Sequence, residues 1–515
     1  METLPAICLG DSLVISTNTD LKTLNPLNSL DDTSNQIMGL IFNGVIGIDK
    51  YDKLCGDLAE TWEVSEDRKT VTFFLHEGIK WHDGHEFSAR DVLFTFNLLK
   101  DPDTESAIKE FASPLQSIEI VSSLIFKAHF SEPYYESLAI FLTGILPEHL
   151  FCDEDINTSG LHMHPVGTGP FRFTEWSPNE QIVLEAFPDY FGGRPFLKRY
   201  IVKIMADSSM AFLALKRGDI DLLGLNPDQY TKQSDDQFKE QFNIFAYSRA
   251  RSYAFLSYNC TAGTLNNVKV RTALTMAVNR DSIIRDVLHG FGKKISGPFP
   301  PDSWPYDKSI DPLPYNPDQA RSLLAEEGIS DSDGDGFLDH DGKIFSLRLF
   351  TVNGNESYML SAKMIEHFWS ALGVKVDFQP KEFSSLLDII QQREYDTLIL
   401  GYVYGFNFNL TDLWHSSMIP DNSTGVRGLN MMGFSDSRVD EIIDSLKSEF
   451  NESSRLRLYQ ELHAIVHREQ PQLFLFTLEY LIAVDKRFHN LELSPTGIFH
   501  NLTTWFVPEL LQKYR

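Results

Sequence analysis

Ser346-Leu347-Arg348-Leu349-Phe350-Thr351-Val352 reads as a β-strand, and the elements after it decide the fold. Ser361 to Leu372 reads as a helix closed by Gly373. Val374 to Phe378 reads as a strand, Ser384 to Gln392 as a helix and Tyr395 to Leu400 as a strand. The order β-α-β-α-β is that of a parallel sheet covered by helices. In such sheets ligands lie beyond the carboxyl ends of the strands. The loops Asn353 to Tyr358 and Gly401 to Trp414 follow strand ends, which makes them binding candidates on physical grounds alone. The fold class is α/β with mixed α+β parts.

Outward from this stretch, other elements carry their own start and stop signals. Asn316 caps a helix with Pro317 at its first position and Gly328 at its end. Asp281 to Gly290 reads as another helix. Phe212 to Asp221 reads as a short helix ended by Gly218, followed by a strand from Asp219 to Leu223. Ile182, Leu184 and Ala186 alternate as in a strand. Leu58 to Gly84 reads as a strand and a Gly-closed turn. Ser88 then caps a helix with Asp91 in its first turn and Val92, Phe96 and Leu99 on one face. Asp101-Pro102 ends it. Pro165-Val166-Gly167-Thr168-Gly169-Pro170 suggests a boundary crossing, and a second boundary falls near Tyr253 to Asn259.

The chain has 515 residues, 42% hydrophobic and 23% charged, enough for a sizeable core in two or three lobes. The net charge of −27 disfavours nucleic acids and anionic membranes and permits a cationic or zwitterionic small ligand. No apolar run is long enough to span a bilayer. The N-terminus lacks a basic region typical of a signal peptide, and Ile7 before Cys8 does not fit a lipoprotein cleavage site. Either the chain is cytoplasmic or a leader has been removed. Cys8, Cys55, Cys152 and Cys260 lie far apart, with no CxxC; buried free thiols are expected.

No GxSxG, HExxH, GxxxxGK[ST] or helix-opening GxGxxG occurs, so no catalytic residue is assigned and an enzyme is not expected. Asp331-Ser332-Asp333-Gly334-Asp335-Gly336-Phe337-Leu338-Asp339 resembles a calcium loop. Asp331, Asp333, Asp335 and Asp339 stand at ligand spacing, with Gly336 at the sharp turn. The closing glutamate is missing, since Gly342 stands there, so an acidic surface turn is the competing reading. No cofactor is required; a structural calcium is the one candidate. His82-Asp83-Gly84-His85-Glu86 and His162-x-His164 read as a turn and a solvated loop rather than metal sites, because neighbours around a glycine turn rarely converge. Tyr402, Tyr404, Phe406, Phe408 and Trp414 crowd one strand-end loop, with Asn407, Asn409 and Asp412 among them. They read either as an apolar pocket wall with polar anchors or as packing between lobes.

Several stretches carry a family resemblance. They include Leu58-Ala59-Glu60-Thr61-Trp62, Gly78-Ile79-Lys80-Trp81-His82-Asp83-Gly84, Gly167-Thr168-Gly169-Pro170-Phe171 and Phe187-Pro188-Asp189-Tyr190-Phe191. Leu215 to Asp221, Asn267 to Leu274 with Ala277 to Arg280, Tyr395-Asp396 before Gly401, and Gln470-Pro471 continue the series in order. The whole resembles the extracytoplasmic solute-binding proteins of peptide and nickel ABC importers. The resemblance implies a bilobed, periplasmic-binding-protein type II fold that closes on its ligand, with an extra inserted domain. The lobes would be 1–45, 167–256 and 487–515 for the discontinuous one, 46–166 for the insertion and 257–486 for the other. It implies a peptide or other small solute as ligand, a membrane permease as partner, no nucleic acid, a monomer, and a periplasmic or cell-surface location. Peptide binders of this family carry an aspartate shortly after a Gly-Trp, where it pairs with the peptide α-amino group. Here Gly401-Tyr402 replaces that pair and no acid follows until Asp412. A buried ammonium needs a counter-charge, so either Asp412 or another acid supplies it, or the ligand has no free amine there. Binding of a sugar or metal chelate, hydrolysis, and sensory reporting are the competing functions. Arg427 and Asn430 lie in a loop matching a family ligand region, where Arg427 could hold a carboxylate bidentately. The ligand set is thus Asn353, Tyr402, Tyr404, Phe406, Asn407, Asp412, Trp414, Arg427 and Asn430.

Overall fold

The computed structural model describes residues 8–28, 31–106, 108–133, 135–248, 251–404 and 408–514. Phe406 and Asn407 lie outside the described residues. The chain divides into two compact units, Met1–Tyr247 with Leu481–Arg515, and Ser248–Tyr480.

In the second unit the strand order is Lys375–Lys381, Ser346–Val352, Thr397–Val403, Ser252–Tyr258 and the first part of Gln472–Asp485. The first three are mutually parallel, so Val352, Lys381 and Val403 end on one edge. Strand Ser252–Tyr258 runs antiparallel to both its neighbours. Strand Ser346–Val352 forms where expected. Helix Glu356–Leu372 starts five residues before the expected Ser361, because the Asn355 side chain accepts from the Tyr358 N–H at 3.1 Å and caps it. Gly373 closes it at φ +101°. Helix Phe383–Gln392 follows, and the last strand is Thr397–Val403, two residues later than its expected start. Helix Pro317–Glu326 has the expected Asn316 cap. The core between sheet and helices holds Leu349, Ile365, Trp369, Ile399 and Leu400.

In the first unit one sheet contains Leu222–Leu225, Ser12–Thr17, Arg199–Ile204, Gln181–Ala186 and Phe171–Ser177 in spatial order. Ile182 and Leu184 point inward and are fully buried, as their alternation predicts. The helix before Gly218 is Ser208–Arg217, opened by Asp207, whose side chain accepts from Met210 N–H at 2.8 Å. The strand after it begins at Leu222, and the Asp221 carboxylate just before it pairs with Arg487 at 2.7 Å.

A separate antiparallel sheet pairs Ala59–Val64, Thr70–Leu75, Ile125–Phe130 and Leu115–Ser122. The run from Leu58 therefore holds two strands where the sequence reads as one. Arg68, at φ +59°, turns the chain between them. Cross-strand Phe73 and Phe126 stack at 4.9 Å, and Phe141 covers Phe73 at 4.7 Å. Helix Ala89–Lys100 has a full capping box, with Ser88 N–H donating to Asp91 at 2.9 Å. Gly167 is required sterically: a Cβ there would lie 1.8 Å from the Ile41 carbonyl oxygen.

All four cysteines are free. Of these only Cys260 is buried, contrary to expectation; Cys8 and Cys55 are half-buried and Cys152 is exposed.

Candidate functional site

Of the expected residues, Asn353 and Tyr402 stand at the carboxyl edge of the second unit's parallel strands. Asn353 follows Val352, and its N–H donates to the Lys381 carbonyl at 2.8 Å. Its side chain donates to Glu382 Oε1 at 2.7 Å, joining two strand ends. From the neighbouring strand, Gly401 lies so close to the Tyr358 hydroxyl that a Cβ would come within 2.1 Å of it. Glu382 is an addition to the expected set, signalled by its position just after a strand, while Tyr358, the end of the candidate loop 353–358, sits in the first turn of helix Glu356–Leu372.

Tyr402 is half-buried and meets Tyr404 edge-on at 4.9 Å. Burial, reinforced by the Asp412 carboxylate, pushes its phenol up to about 12. Asp412 is therefore close enough for its charge to be felt at Tyr402. It is half-buried in the one-turn helix Thr411–Trp414. Its backbone carbonyl accepts from Leu429 N–H at 3.2 Å, which sets the 427–430 loop beside it. The Asp412 carboxylate has no ion-pair or hydrogen-bond partner among the described residues.

Tyr404 and Trp414 lie deeper. Both belong to the hydrophobic core of the second unit, at 2% and 0% exposure. The Trp414 indole N–H donates to the Tyr404 hydroxyl at 3.4 Å and its ring stacks on Phe474 at 6.4 Å. Phe408, Phe299 and Tyr253 complete the packing around Tyr404. Burial raises the Tyr404 phenol far above its ordinary value.

Asn430 is fully buried and its amide is spent internally. Nδ2 donates to the carbonyls of His415 and Phe434 at 3.1 and 2.8 Å, and Oδ1 accepts from Phe434 N–H at 3.1 Å. Three residues away, Arg427 is exposed and has no partner among the described residues. Gly428 between them packs its backbone on Met418, where a Cβ would lie 1.9 Å from the carbonyl oxygen. The loop thus has a fixed base and a free arginine.

This edge offers a phenol, an amide and acidic side chains around strand ends, whereas Arg427 follows Val426, whose carbonyl accepts from Gln391 Nε2 at 3.0 Å at the far end of the covering helix Phe383–Gln392.

The acidic turn also takes shape. The carboxylates of Asp331, Asp333 and Asp335 converge, with ligand atoms within 4.8 Å of one another. Asp339 is diverted: its carboxylate accepts from the Ser332 hydroxyl at 2.5 Å and from Ser332 N–H at 3.1 Å. Gly334 N–H donates to Asp331 at 2.7 Å. Three oxygen donors suit a hard cation such as calcium.

His82 turns inward, with Nε2 2.9 Å from the Gly169 carbonyl and Nδ1 accepting from Gly167 N–H at 3.2 Å. Burial holds its imidazole down at about 4. His162 is half-buried against Phe151 and bonds the Ile156 carbonyl at 2.8 Å, which corrects the reading of a solvated loop. His164 is exposed.

Comparison with known proteins places this architecture. The family model described as bacterial extracellular solute-binding proteins, family 5 Middle, matches residues 53–418. The oligopeptide-binding protein AppA of Bacillus subtilis (strain 168) is 28% identical over 510 residues, spanning 97% of this chain and 92% of the relative. A solved structure of the oligopeptide-binding protein AppA from Bacillus subtilis, in complex with a nonapeptide, aligns at TM-score 0.70 and 28% identity. That alignment covers 98% of this chain and 100% of the other. The dipeptide-binding protein of Escherichia coli (strain K12) is 26% identical over 471 residues, spanning 86% of this chain and 84% of the relative.

Proposed function

Because the chain belongs to the bacterial extracellular solute-binding proteins of family 5, we propose that it captures peptides outside the cytoplasm and delivers them to the membrane permease of an ABC importer. The observation that carries this reading is the likeness, over nearly the whole chain, to a relative named an oligopeptide-binding protein. The protein acts as a monomeric binder in the periplasm or at the cell surface, without catalysing a reaction. No helix among the described residues is long and apolar enough to cross a membrane.

Within this reading Asp412 is the counter-charge for the peptide α-amino group, in place of the aspartate that peptide binders carry nearer the strand. Its half-buried carboxylate has no competing partner among the described residues, so ligand ammonium would supply the missing charge. Arg427 is available for a ligand carboxylate, while Tyr402 and Asn353 flank the strand ends. The acidic turn at 331–335 enters only as a structural calcium loop. Millimolar calcium should raise the melting temperature, and Asp333→Ala should abolish the shift.

The test is to purify the protein, denature it gently and identify by mass spectrometry the molecules that co-purified, then to measure binding by calorimetry. Peptides of mixed sequence support the reading. A single sugar or metal chelate overturns it.

A further inference from the structure

Far from the strand-end loops in sequence, two separated segments of the first unit bring together three groups suited to a metal. The first segment is the turn 81–86. Trp81 is fully buried and its backbone N–H donates to the His85 carbonyl at 2.9 Å. Gly84, at φ +92°, donates its N–H back to the Trp81 carbonyl at 2.9 Å. The turn is thereby fixed, and His85 N–H donates to Asp83 Oδ1 at 3.1 Å. The second segment is the short helix Glu148–Phe151. Glu148 N–H donates to Asp91 Oδ1 at 3.0 Å, and Arg90 clasps the Glu148 carboxylate with two bonds of 3.0 Å. Both segments are therefore anchored to helix Ala89–Lys100 or to the core beneath it.

The result is one carboxylate within reach of two imidazoles that stack on each other. His149 Nε2 lies 2.7 Å from Asp83 Oδ2, and His85 Nδ1 lies 3.2 Å from Asp83 Oδ1. The two rings stack at 4.1 Å with 26° between their planes. One ligand atom from each of the three residues falls within 4.8 Å of the others. Tetrahedral coordination with bonds of 2.0–2.1 Å would hold donor atoms about 3.3 Å apart. Both imidazoles turn out of their stack when their nitrogens face one ion.

We propose that Asp83, His85 and His149 bind a divalent first-row transition-metal ion of the zinc type at the surface of the first unit. Two imidazole nitrogens and one carboxylate oxygen suit zinc, nickel or copper and are too rich in nitrogen for calcium. The His85 side chain is 63% exposed, so an ion reaches the cluster without opening the fold, and water can fill the remaining position. Bound there, the ion crosslinks the 81–86 turn to the 148–151 helix, whose residues are 66 positions apart at the Asp83–His149 contact.

The experiment uses untagged, chelator-treated protein titrated with zinc chloride by calorimetry, with cobalt(II) absorption as a second readout of coordination. Wild-type protein should take up one zinc ion at this cluster. His85→Ala and His149→Ala should each weaken that event at least about tenfold, since even loss of an outer-shell partner weakens metal sites by 10–100-fold. Each should also abolish the cobalt bands. Asp333→Ala should leave both readouts unchanged. His85 is exposed enough that its truncation leaves the fold intact, which circular dichroism verifies. Absence of zinc binding in the wild type overturns the proposal, as does wild-type zinc affinity in either histidine variant.

Discussion

The two units bind their chain segments together by opposite chemistries. In the first unit the meeting point is ionic. Arg487 is buried and reaches Asp11 and Asp221, each at 2.7 Å. Lys513 adds contacts to Asp485 at 3.0 Å and Asp221 at 3.4 Å. The same acids accept backbone N–H groups: Val14 to Asp221 at 2.9 Å, and Lys513 and Tyr514 to Asp11 at 3.1 and 3.0 Å. Four separated stretches of chain converge there. In the second unit the corresponding centre is aromatic, with Tyr404, Phe408, Trp414, Phe299 and Phe474 packed under the strand-end loop. Buried charges demand specific partners and so fix which distant segments meet. Aromatic packing is less exacting about partners. It leaves Asp412, on the one-turn helix of that loop, without a partner among the described residues.

On that contrast the ionic centre is the more fragile. Arg487→Ala strands two fully buried carboxylates and should lower the unfolding free energy by about 3–5 kcal/mol, measured by urea denaturation. A loss below about 1 kcal/mol would mean that the acids are solvated or protonated at little cost. Trp414→Ala should cost a comparable or slightly smaller amount, about 3–5 kcal/mol, because the indole is fully buried and its N–H is partnered. Seen from its crowded loop alone, Trp414 could equally be a pocket residue whose loss weakens binding and spares the fold. A stable, folded Trp414→Ala with reduced peptide affinity would restore that reading.

The difference between the units also explains which parts of the molecule are legible in the sequence. Elements whose ends carry local chemistry are readable: Ser346–Val352 from its neighbours, Pro317–Glu326 from Asn316, and the end of Glu356–Leu372 from Gly373. The start of that last helix escapes a sequence reading because Gly354-Asn355 resembles loop, whereas the Asn355 side chain caps. The strand-end location of the candidate site follows from parallel topology. Which of its aromatics face a ligand does not, because a dense aromatic loop has the same composition over a core as around a pocket. The Arg487 centre is invisible, since Arg487 and Asp11 are 476 positions apart. The Asp83–His85 turn reads as structure for the same reason: its third member, His149, comes from a distant helix.

A smaller effect separates the units by pH. Asp57, in the first unit, accepts from Asn43 Nδ2 at 2.8 Å, and burial pushes its carboxyl up to about 7. Its folded value exceeds the unfolded value of about 3.9, so the folded state holds the proton more tightly. That contribution is complete below about pH 4 and is lost as pH rises toward 7. Asp57→Asn does not titrate. Relative to wild type it should therefore gain up to about 4 kcal/mol between pH 4 and pH 8. Melting curves across that range check it, and parallel curves for the two proteins would remove Asp57 as the source.

The smallest effect on stability is expected at Asp412. Its carboxylate has no partner among the described residues and is only half-buried, so Asp412→Asn should change the unfolding free energy by less than about 0.5 kcal/mol. Its effect on binding should be far larger. A hydrogen bond to a charged group contributes about 1.5–3 kcal/mol, roughly 10–100-fold in affinity. Calorimetry with a free-amine peptide and its N-acetylated form isolates the contact. Asp412→Asn should weaken the free peptide by that factor and leave the acetylated one unchanged, because acetylation removes the ammonium that the carboxylate pairs with. Arg427→Ala serves as the companion and should respond to amidation of the peptide carboxyl terminus instead. Equal losses for free and acetylated peptides would show that Asp412 acts by holding the Tyr402 side of the loop rather than by meeting the amine. The counter-charge would then have to be sought at another acid on the same strand edge, with Glu382 the first candidate through its bond to Asn353.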